Sequence, residues 1–339
     1  MKRKYIVISG IVTAVVLILA VGIGSVFISP AKIFAILGQE IFGISGNVND
    51  VDVSIIWKIR LPRVLLAFFV GAALSASGAV VQSILKNPLA SPFTLGVSSG
   101  ASLGAAIVIA TGFTIPFIGN FTLPFFGLAF AIGTVILAVA FASKCDISLK
   151  STTIVLVGMV FSVFMNAVLT LIAGLSLDKS QLILRWQMGN FSGKGWEYVL
   201  ILLSVFAICI TVFLHYSKEL DIFSFGEEQA SSIGVETKKV KWILLIFTAI
   251  LTGTAVSFAG VIGFIDLVAP HIVRKIFSSR HKIVVPMSAL FGGIFMVVCD
   301  LISRTILSPR ELPIGVVTAI IGAPFFAYIY LRGKKSAKN

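Results

Sequence analysis

The sequence predicts an all-α polytopic membrane protein with about ten transmembrane helices, an inverted internal repeat and both termini in the cytoplasm. Three observations lead there. The 339 residues are 58% hydrophobic and 12% charged, with a mean hydropathy of +1.06, whereas a soluble domain is roughly half apolar and a quarter charged. Apolar runs of the ~18 residues that a bilayer span requires recur from one end of the chain to the other. No stretch of soluble-domain composition separates them, so residues 1–339 read as one transmembrane domain with approximate halves 1–175 and 197–339.

The first passage, residues 5–28, follows Lys2, Arg3 and Lys4. Its apolar run exceeds the roughly 7–15 residues of a signal-peptide core, so it reads as a retained helix. Nine further passages are expected at 61–82, 93–112, 122–143, 152–174, 197–216, 242–259, 262–276, 284–303 and 313–331. Orientation follows from the bias of Lys and Arg toward the cytoplasm. With the N-terminus inside, Lys32, Lys58, Arg60, Arg63, Lys179, Arg185, Lys194, Arg304 and Arg310 fall outside, and the other eighteen of the 27 basic residues fall inside. Arg60, Arg63, Arg304 and Arg310 sit at outer helix ends, against that trend. The net charge of +13 lies in loops between spans, where it sets orientation; nucleic-acid binding is excluded because no soluble basic face exists. Cys145, Cys209 and Cys299 are far apart and lack metal-ligand spacing.

The repeat is carried by "GAALSASGAVV" from Gly71 and "GTAVSFAGVIG" from Gly253. Gly71, Ala73, Ser75 and Gly78 match Gly253, Ala255, Ser257 and Gly260 in offset, and Pro88 and Pro270 stand equally far beyond. The two segments belong to passages two and seven, which cross in opposite directions. An odd number of passages per half makes the repeat inverted, a plan that places broken helices at the repeat interface. Small residues also recur every four positions: Ala67, Gly71, Ser75 and Ala79; Gly96, Gly100 and Gly104; Gly315, Ala319 and Ala323. Such stripes let helix backbones approach closely.

The eighth passage is the exception. "GVIGFIDLVAPHIVRKIF" from Gly260 begins as a membrane segment and then places Asp266, Pro270, His271 and Arg274 close together. The expected layout is an outer turn at 260–263 and a short passage broken by Pro270, with His271, Arg274 and Lys275 emerging near the inner surface. His271 reads as structural, because only His215 and His281 exist elsewhere and no metal cluster is visible. Asp266 requires a cavity, a partner or a proton.

"RLPRVLLAFFVGAALSASGAVVQSILKNPLASPFTLGVSSGAS" from Arg60, "GVIGFIDLVAPHIVRKIFSSRHKIVVP" from Gly260 and "DLISRTILSPRELPIGVVTAIIGAPFFAYI" from Asp300 resemble the signature regions of FecCD-type permeases. These are the membrane subunits of ABC importers for iron–siderophores, haem and vitamin B12. The resemblance covers nearly the whole chain. It implies a second permease subunit of the same or a paralogous kind, two cytoplasmic ATPase subunits and an extracytoplasmic binding protein, in a bacterial cell membrane. It implies an iron–siderophore as cargo, with haem or cobalamin as alternatives, and no catalytic residue or metal site in this chain. The sequence holds no G-x-x-x-x-G-K-[ST] phosphate loop, so no cofactor is expected here and ATP and Mg belong to the partner ATPase.

The resemblance also assigns roles. Arg60, Arg63 and Arg304 match arginines that face acidic residues of the binding protein, and guanidinium suits bidentate pairing with carboxylate. Two simpler uses compete: Asp300, four residues before Arg304, can pair with it along one helix, and Arg60 can anchor a helix end. Charge reversal at Arg63 is expected to weaken docking without unfolding the chain. The loop 218–242 matches the ATPase-coupling segment, with Leu220, Phe223, Ala230 and Ile233 as apolar anchors and Gly226 and Gly234 at sharp turns. Asn87 and Leu89, flanking Pro88, and Ser151 and Thr152 at the start of passage five match inner-gate positions; helix capping is the plainer use of Ser and Thr there. At Asp266 the family usually has a small residue, often glycine. An ion-coupled secondary transporter would carry ionisable groups deep in several helices, and only Asp266 qualifies. An intramembrane enzyme would need a nucleophilic or metal-ligand constellation, which the sequence lacks.

Overall fold

The computed structural model describes residues 2–24, 26–44, 48–146 and 149–336, with the side chains of 2, 3, 6 and 329–336 left undescribed. Several basic residues used above for orientation (Lys2, Arg3, Arg332, Lys334, Lys335 and Lys338) therefore lie outside the described side chains. The described residues form helices α1 (Lys2–Gly22), α2 (Pro30–Phe42) and α3 (Asp50–Val53), the last continuing through a π-helical stretch (Ser54–Arg60) into α4 (Leu61–Ile84). A 3-10 turn (Pro92–Leu95) precedes α5 (Val97–Thr111), and α6 (Thr122–Cys145), α7 (Ser151–Leu175), α8 (Ser180–Gln187) and α9 (Trp196–His215) follow. The last third holds α10 (Ser217–Phe223), α11 (Glu227–Ser232), α12 (Thr237–Ala259), α13 (Ile265–Ile276), α14 (His281–Thr305) and α15 (Ile314–Ser336).

Among the described residues, six segments are long and apolar enough to cross a membrane: Asp50–Ile84, Gly119–Cys145, Ser151–Leu175, Trp196–His215, Thr237–Ala259 and His281–Thr305. Val7–Gly22, Val97–Thr111 and Ile314–Tyr328 are shorter apolar helices. Each of the ten expected passages contains a helix. α2 and α8 were not foreseen. α2 is too short to span, and it announces itself only locally: the Ser29 side chain accepts from the Lys32 N–H, Pro30 sits in the first turn, and Gly43 closes the helix with φ 67°.

α4 is the hub. It is buried for almost its whole length and packs on α14, α12, α13 and α9, so elements from both halves share one core. The first small-residue stripe explains the closest of these contacts. A Cβ on Gly71 would strike the Gly292 carbonyl of α14, and one on Gly292 would strike Ser75 and Gly71. With no hydrophobic drive between helices in lipid, this backbone proximity is what dispersion and packing can use. Gly100 and Gly104 of the second stripe face the α6 backbone in the same way.

The eighth passage departs from expectation. No tight turn exists at 260–263. Instead 260–264 is non-helical and leads from the α8 end to the start of α13 beside the middle of α4. It starts where Gly260 abuts Trp186 and Gly189, and it ends at Phe264, held at φ 70°. α13 then begins beside Gly78 of α4, about 26 Å along that helix from Leu61 at 1.5 Å per residue. Irregular backbone at such depth is tolerated only inside protein, and Ile262 and Ile265 are fully enclosed.

Candidate functional site

The first α13 residues show how the break is repaired. In a regular helix the Asp266 carbonyl would accept from residue 270, but Pro270 has no N–H and its ring crowds that carbonyl. Gln82 of α4 supplies the missing donor, its Nε2 lying 3.1 Å from the Asp266 carbonyl oxygen. Gly78 permits the approach, since any Cβ there would overlap the same carbonyl. Ser75 Oγ donates to the Ile265 carbonyl at 3.3 Å. The Asp266 side chain is 2% exposed and accepts a hydrogen bond from Ser91 Oγ. Ser91 also caps the 3-10 turn Pro92–Leu95 through the Phe93 N–H. Asp266 thus has a partner, and it ties α13 to the irregular connection between α4 and α5.

From there a chain of polar contacts runs to the end of the bundle that carries α10 and α11. Gln82 Oε1 accepts from Arg274 Nη1 at 2.5 Å. Arg274 Nη2 donates to the Ala79 carbonyl at 3.1 Å and to Ser83 Oγ at 3.2 Å. Ser83 Oγ meets His281 Nε2 at 2.5 Å. His281, 1% exposed, places Nδ1 2.6 Å and its backbone N–H 2.7 Å from the same Asp221 carboxylate oxygen on α10. Of the expected interfacial cluster, Arg274 is half-buried and turns its guanidinium onto three acceptors of α4, whereas Lys275 stays exposed. His271 is half-buried and outside this chain of contacts. Among the described residues no group of three or more His, Cys, Asp or Glu could hold a metal ion.

The loop 218–242 corrects three of the expected anchors. Leu220, Phe223 and Ala230 are at most 1% exposed, so they pin α10 and α11 onto the bundle and present nothing outward. Ile233 is 69% exposed, and Phe225, which sequence reasoning passed over, is 74% exposed. Gly226 and Gly234 do adopt φ 133° and φ 93°, conformations closed to most side chains. A buried ion pair holds α11: Lys241 Nζ lies 2.6 Å from Glu227 and 2.7 Å from the Leu149 carbonyl. Glu227 also accepts from Ser151 Oγ at 2.7 Å. Beside this pair a cleft of about 810 Å³ is lined by Lys86, Lys150, Glu228 and Lys238.

Of the gate positions, Ser151 is taken up by Glu227, whereas Thr152 is exposed. Asn87 closes α4: its N–H reaches back to the Gln82 carbonyl at 3.0 Å, beyond Lys86 at φ 47°, a Schellman-type ending. Its Oδ1 accepts from the Leu89 N–H at 2.9 Å. Leu89 is 44% exposed.

At the opposite end the three docking arginines are consumed internally. Arg60 is 6% exposed and donates to the carbonyls of Val21, Gly22 and Val26 at 3.1, 2.9 and 2.6 Å. Arg304 donates to the Ala20 carbonyl and lies 3.4 Å from Asp300. Both guanidinium groups neutralise the unpaired carbonyls and negative dipole end of α1. Arg63 straddles two carboxylates, with Nε 3.0 Å from Asp300 and Nη1 2.6 Å from Glu311. These geometries match the competing structural uses and leave little guanidinium surface for a partner. Exposed basic side chains at this end include Lys58, Arg185 and Arg310. Lys194 sits 4.6 Å over the Tyr198 ring, and its burial pushes the ammonium below its ordinary pKa.

Comparison with known proteins fits this architecture. Residues 12–332 match the FecCD transport family. The chain is 41% identical over 327 residues to the ABC transporter permease protein YvrB of Bacillus subtilis, covering 96% of this chain and 93% of that one. It is 38% identical over 275 residues to the cobalamin import system permease BtuC of Halobacterium salinarum, covering 81% and 73%. A solved metal-chelate type ABC transporter in an inward-facing conformation superposes with a TM-score of 0.85 at 29% identity, covering 97% of this chain and 99% of that one. The chain is a multi-pass membrane protein of the FecCD transport family, the permease subunit of an ABC importer and not itself an ATPase.

Proposed function

We propose that this permease forms half of the pathway of an ATP-driven importer for a ferric siderophore, with haem or cobalamin as the alternative cargo. The chain crosses the bilayer ten times with both termini in the cytoplasm, as an inverted repeat, and its helices are interrupted at 86–96 and 260–264. A second permease subunit completes the pathway. Two ATPase subunits carrying ATP and Mg engage the α10–α11 end, where Phe225 and Ile233 stand free. An extracytoplasmic binding protein docks at the α2–α8 end on Lys58, Arg185 and Arg310.

The observation that carries this reading is the family match over residues 12–332; the likeness to a metal-chelate transporter along 97% of the chain supports the cargo class. Proteoliposomes containing the permease, its ATPase and its binding protein test it. ATP-dependent accumulation of a ferric siderophore is expected, with haem and cobalamin as parallel arms that rank the cargo. Uphill uptake by the permease alone, driven by a proton or sodium gradient, overturns the reading.

A further inference from the structure

The geometry points to a rigid strut, Asp221–His281–Ser83–Arg274–Gln82–Asp266, that carries displacement of α10 into the bundle and moves the Ser91 connection. Gln82, Arg274 and His281 act as positioning residues for transport, and the inference rests on α10–α11 being the face engaged by the ATPase. Three features support it. The strut joins α4 and α10 to the consecutive helices α13 and α14 through contacts of 2.5–3.2 Å. Each of its inner members uses both of its polar ends. Ser83 sits between His281 and Arg274, and Gln82 donates to Asp266 with its nitrogen while accepting from Arg274 with its oxygen.

Second, the strut terminates on a mechanically weak point. The Asp266 carbonyl is the one that Pro270 leaves without an intrahelical donor, and the Asp266 carboxylate holds Ser91, the cap of the 3-10 turn. Displacing α13 therefore pulls, through Ser91, on the α4–α5 connection that contains Asn87 and Leu89. Third, the alternative route is poor. Apolar helix contacts slide, whereas charge-assisted hydrogen bonds fix both distance and direction. Hydrogen-bond networks joining rigid elements with discrete arrangements carry coupling between distant sites. The carboxylate at 266 thus has a use that a small residue could not serve.

The test uses the complete reconstituted transporter. Assembly of the wild-type permease with its ATPase is measured first; failure there removes the α10–α11 reading, independently of the strut. Ser83→Ala, Gln82→Leu and Arg274→Met are then compared for thermal stability, ATP hydrolysis and chelate imported per ATP. The variants are expected to retain hydrolysis and to lose import per ATP by about two- to thirtyfold, the range seen for residues within coupling networks. Gln82→Leu combined with Arg274→Met is expected to be no worse than the stronger single change, because both break the same chain. Asp266→Asn, which keeps an acceptor for Ser91, is expected to retain more coupling than Asp266→Gly. Import and hydrolysis falling in equal proportion, additive losses, or unchanged import in Ser83→Ala overturns the strut, and Ser83→Ala keeps the test open should the larger changes fail to fold.

Discussion

Arg63 holds two carboxylates at once, and the arrangement decides what the residue is for. Asp300 is 1% exposed and Arg63 only 9%, so removing the guanidinium leaves a carboxylate away from water with the looser 3.4 Å contact to Arg304 in place of its close partner. Breaking a buried ion pair from one side costs about 3–5 kcal/mol. Arg63→Ala is therefore expected to lower the melting temperature of the purified permease sharply, whereas Arg310→Ala at the exposed surface stays within about 0.5 kcal/mol of wild type. An unchanged melting temperature for Arg63→Ala would show that the pair contributes nothing. Charge reversal at Arg63, expected from sequence to spare the fold, would place a carboxylate beside Asp300 and Glu311. The sequence did announce these arginines by their departure from the charge bias. It also announced Asp300 as an i,i+4 partner of Arg304. It did not announce Glu311 or the α1 carbonyls as partners, because those contacts depend on how three helix ends converge.

At the scale of elements, hydropathy revealed the long helices because a span is a one-dimensional property. α2, α8, α10 and α11 are short. α2 is held by its Ser29 cap, and the others have no side-chain cap and are seated on the bundle through residues such as Ile183, Leu220, Phe223 and Ala230, features that a sliding window averages away. The amphipathic loop shows the consequence: its apolar residues were legible, but which of them face inward was not. Phe223 and Ile233 look equivalent in the sequence, yet one is 1% and the other 69% exposed. This division separates two kinds of variant. Phe223→Ala opens a cavity in the seat of α10 and is expected to cost about 3–5 kcal/mol of permease stability. Phe225→Ala leaves the fold intact and is expected to weaken ATPase binding by about 2 kcal/mol, the level of an interface hot spot. Binding of the purified ATPase to detergent-solubilised permease, followed alongside thermal melting, distinguishes the two. Equal ATPase affinity of wild type and Phe225→Ala removes Phe225 from the interface. Within α4, Gln82 was visible as an amide in an apolar helix and was overlooked; its partners lie more than 180 positions away.

The whole molecule leaves several apolar helix faces uncovered, and their composition tells lipid from pathway. α1 exposes Val7, Ile8, Ile11, Val12, Val15 and Leu19, a surface hydrocarbon accepts. α7 exposes Thr152, Met159, Val163, Asn166 and Thr170, and helical spacing stacks these on one stripe along the full length of the helix. Asn166 lies near the middle of that span, where an amide facing hydrocarbon without a partner costs about 4 kcal/mol or more. Polar residues at such depth face a bundle interior or a water-filled cavity. On the proposed function, the α7 stripe, which includes the gate position Thr152, is expected to line the aqueous pathway completed by a second permease. In a background with Cys145 replaced by serine, Asn166→Cys in the assembled transporter is expected to react with a membrane-impermeant methanethiosulfonate. Ile11→Cys on α1 is expected to react more slowly by about tenfold or more, since only a hydrated thiol ionises readily. Added transported chelate should protect the Asn166→Cys site and leave Ile11→Cys unaffected. Should Asn166→Cys prove as inert as Ile11→Cys, the stripe faces lipid, and the pathway must be sought on another uncovered face, with α15 and its exposed Ile320, Phe325 and Tyr328 the next to label.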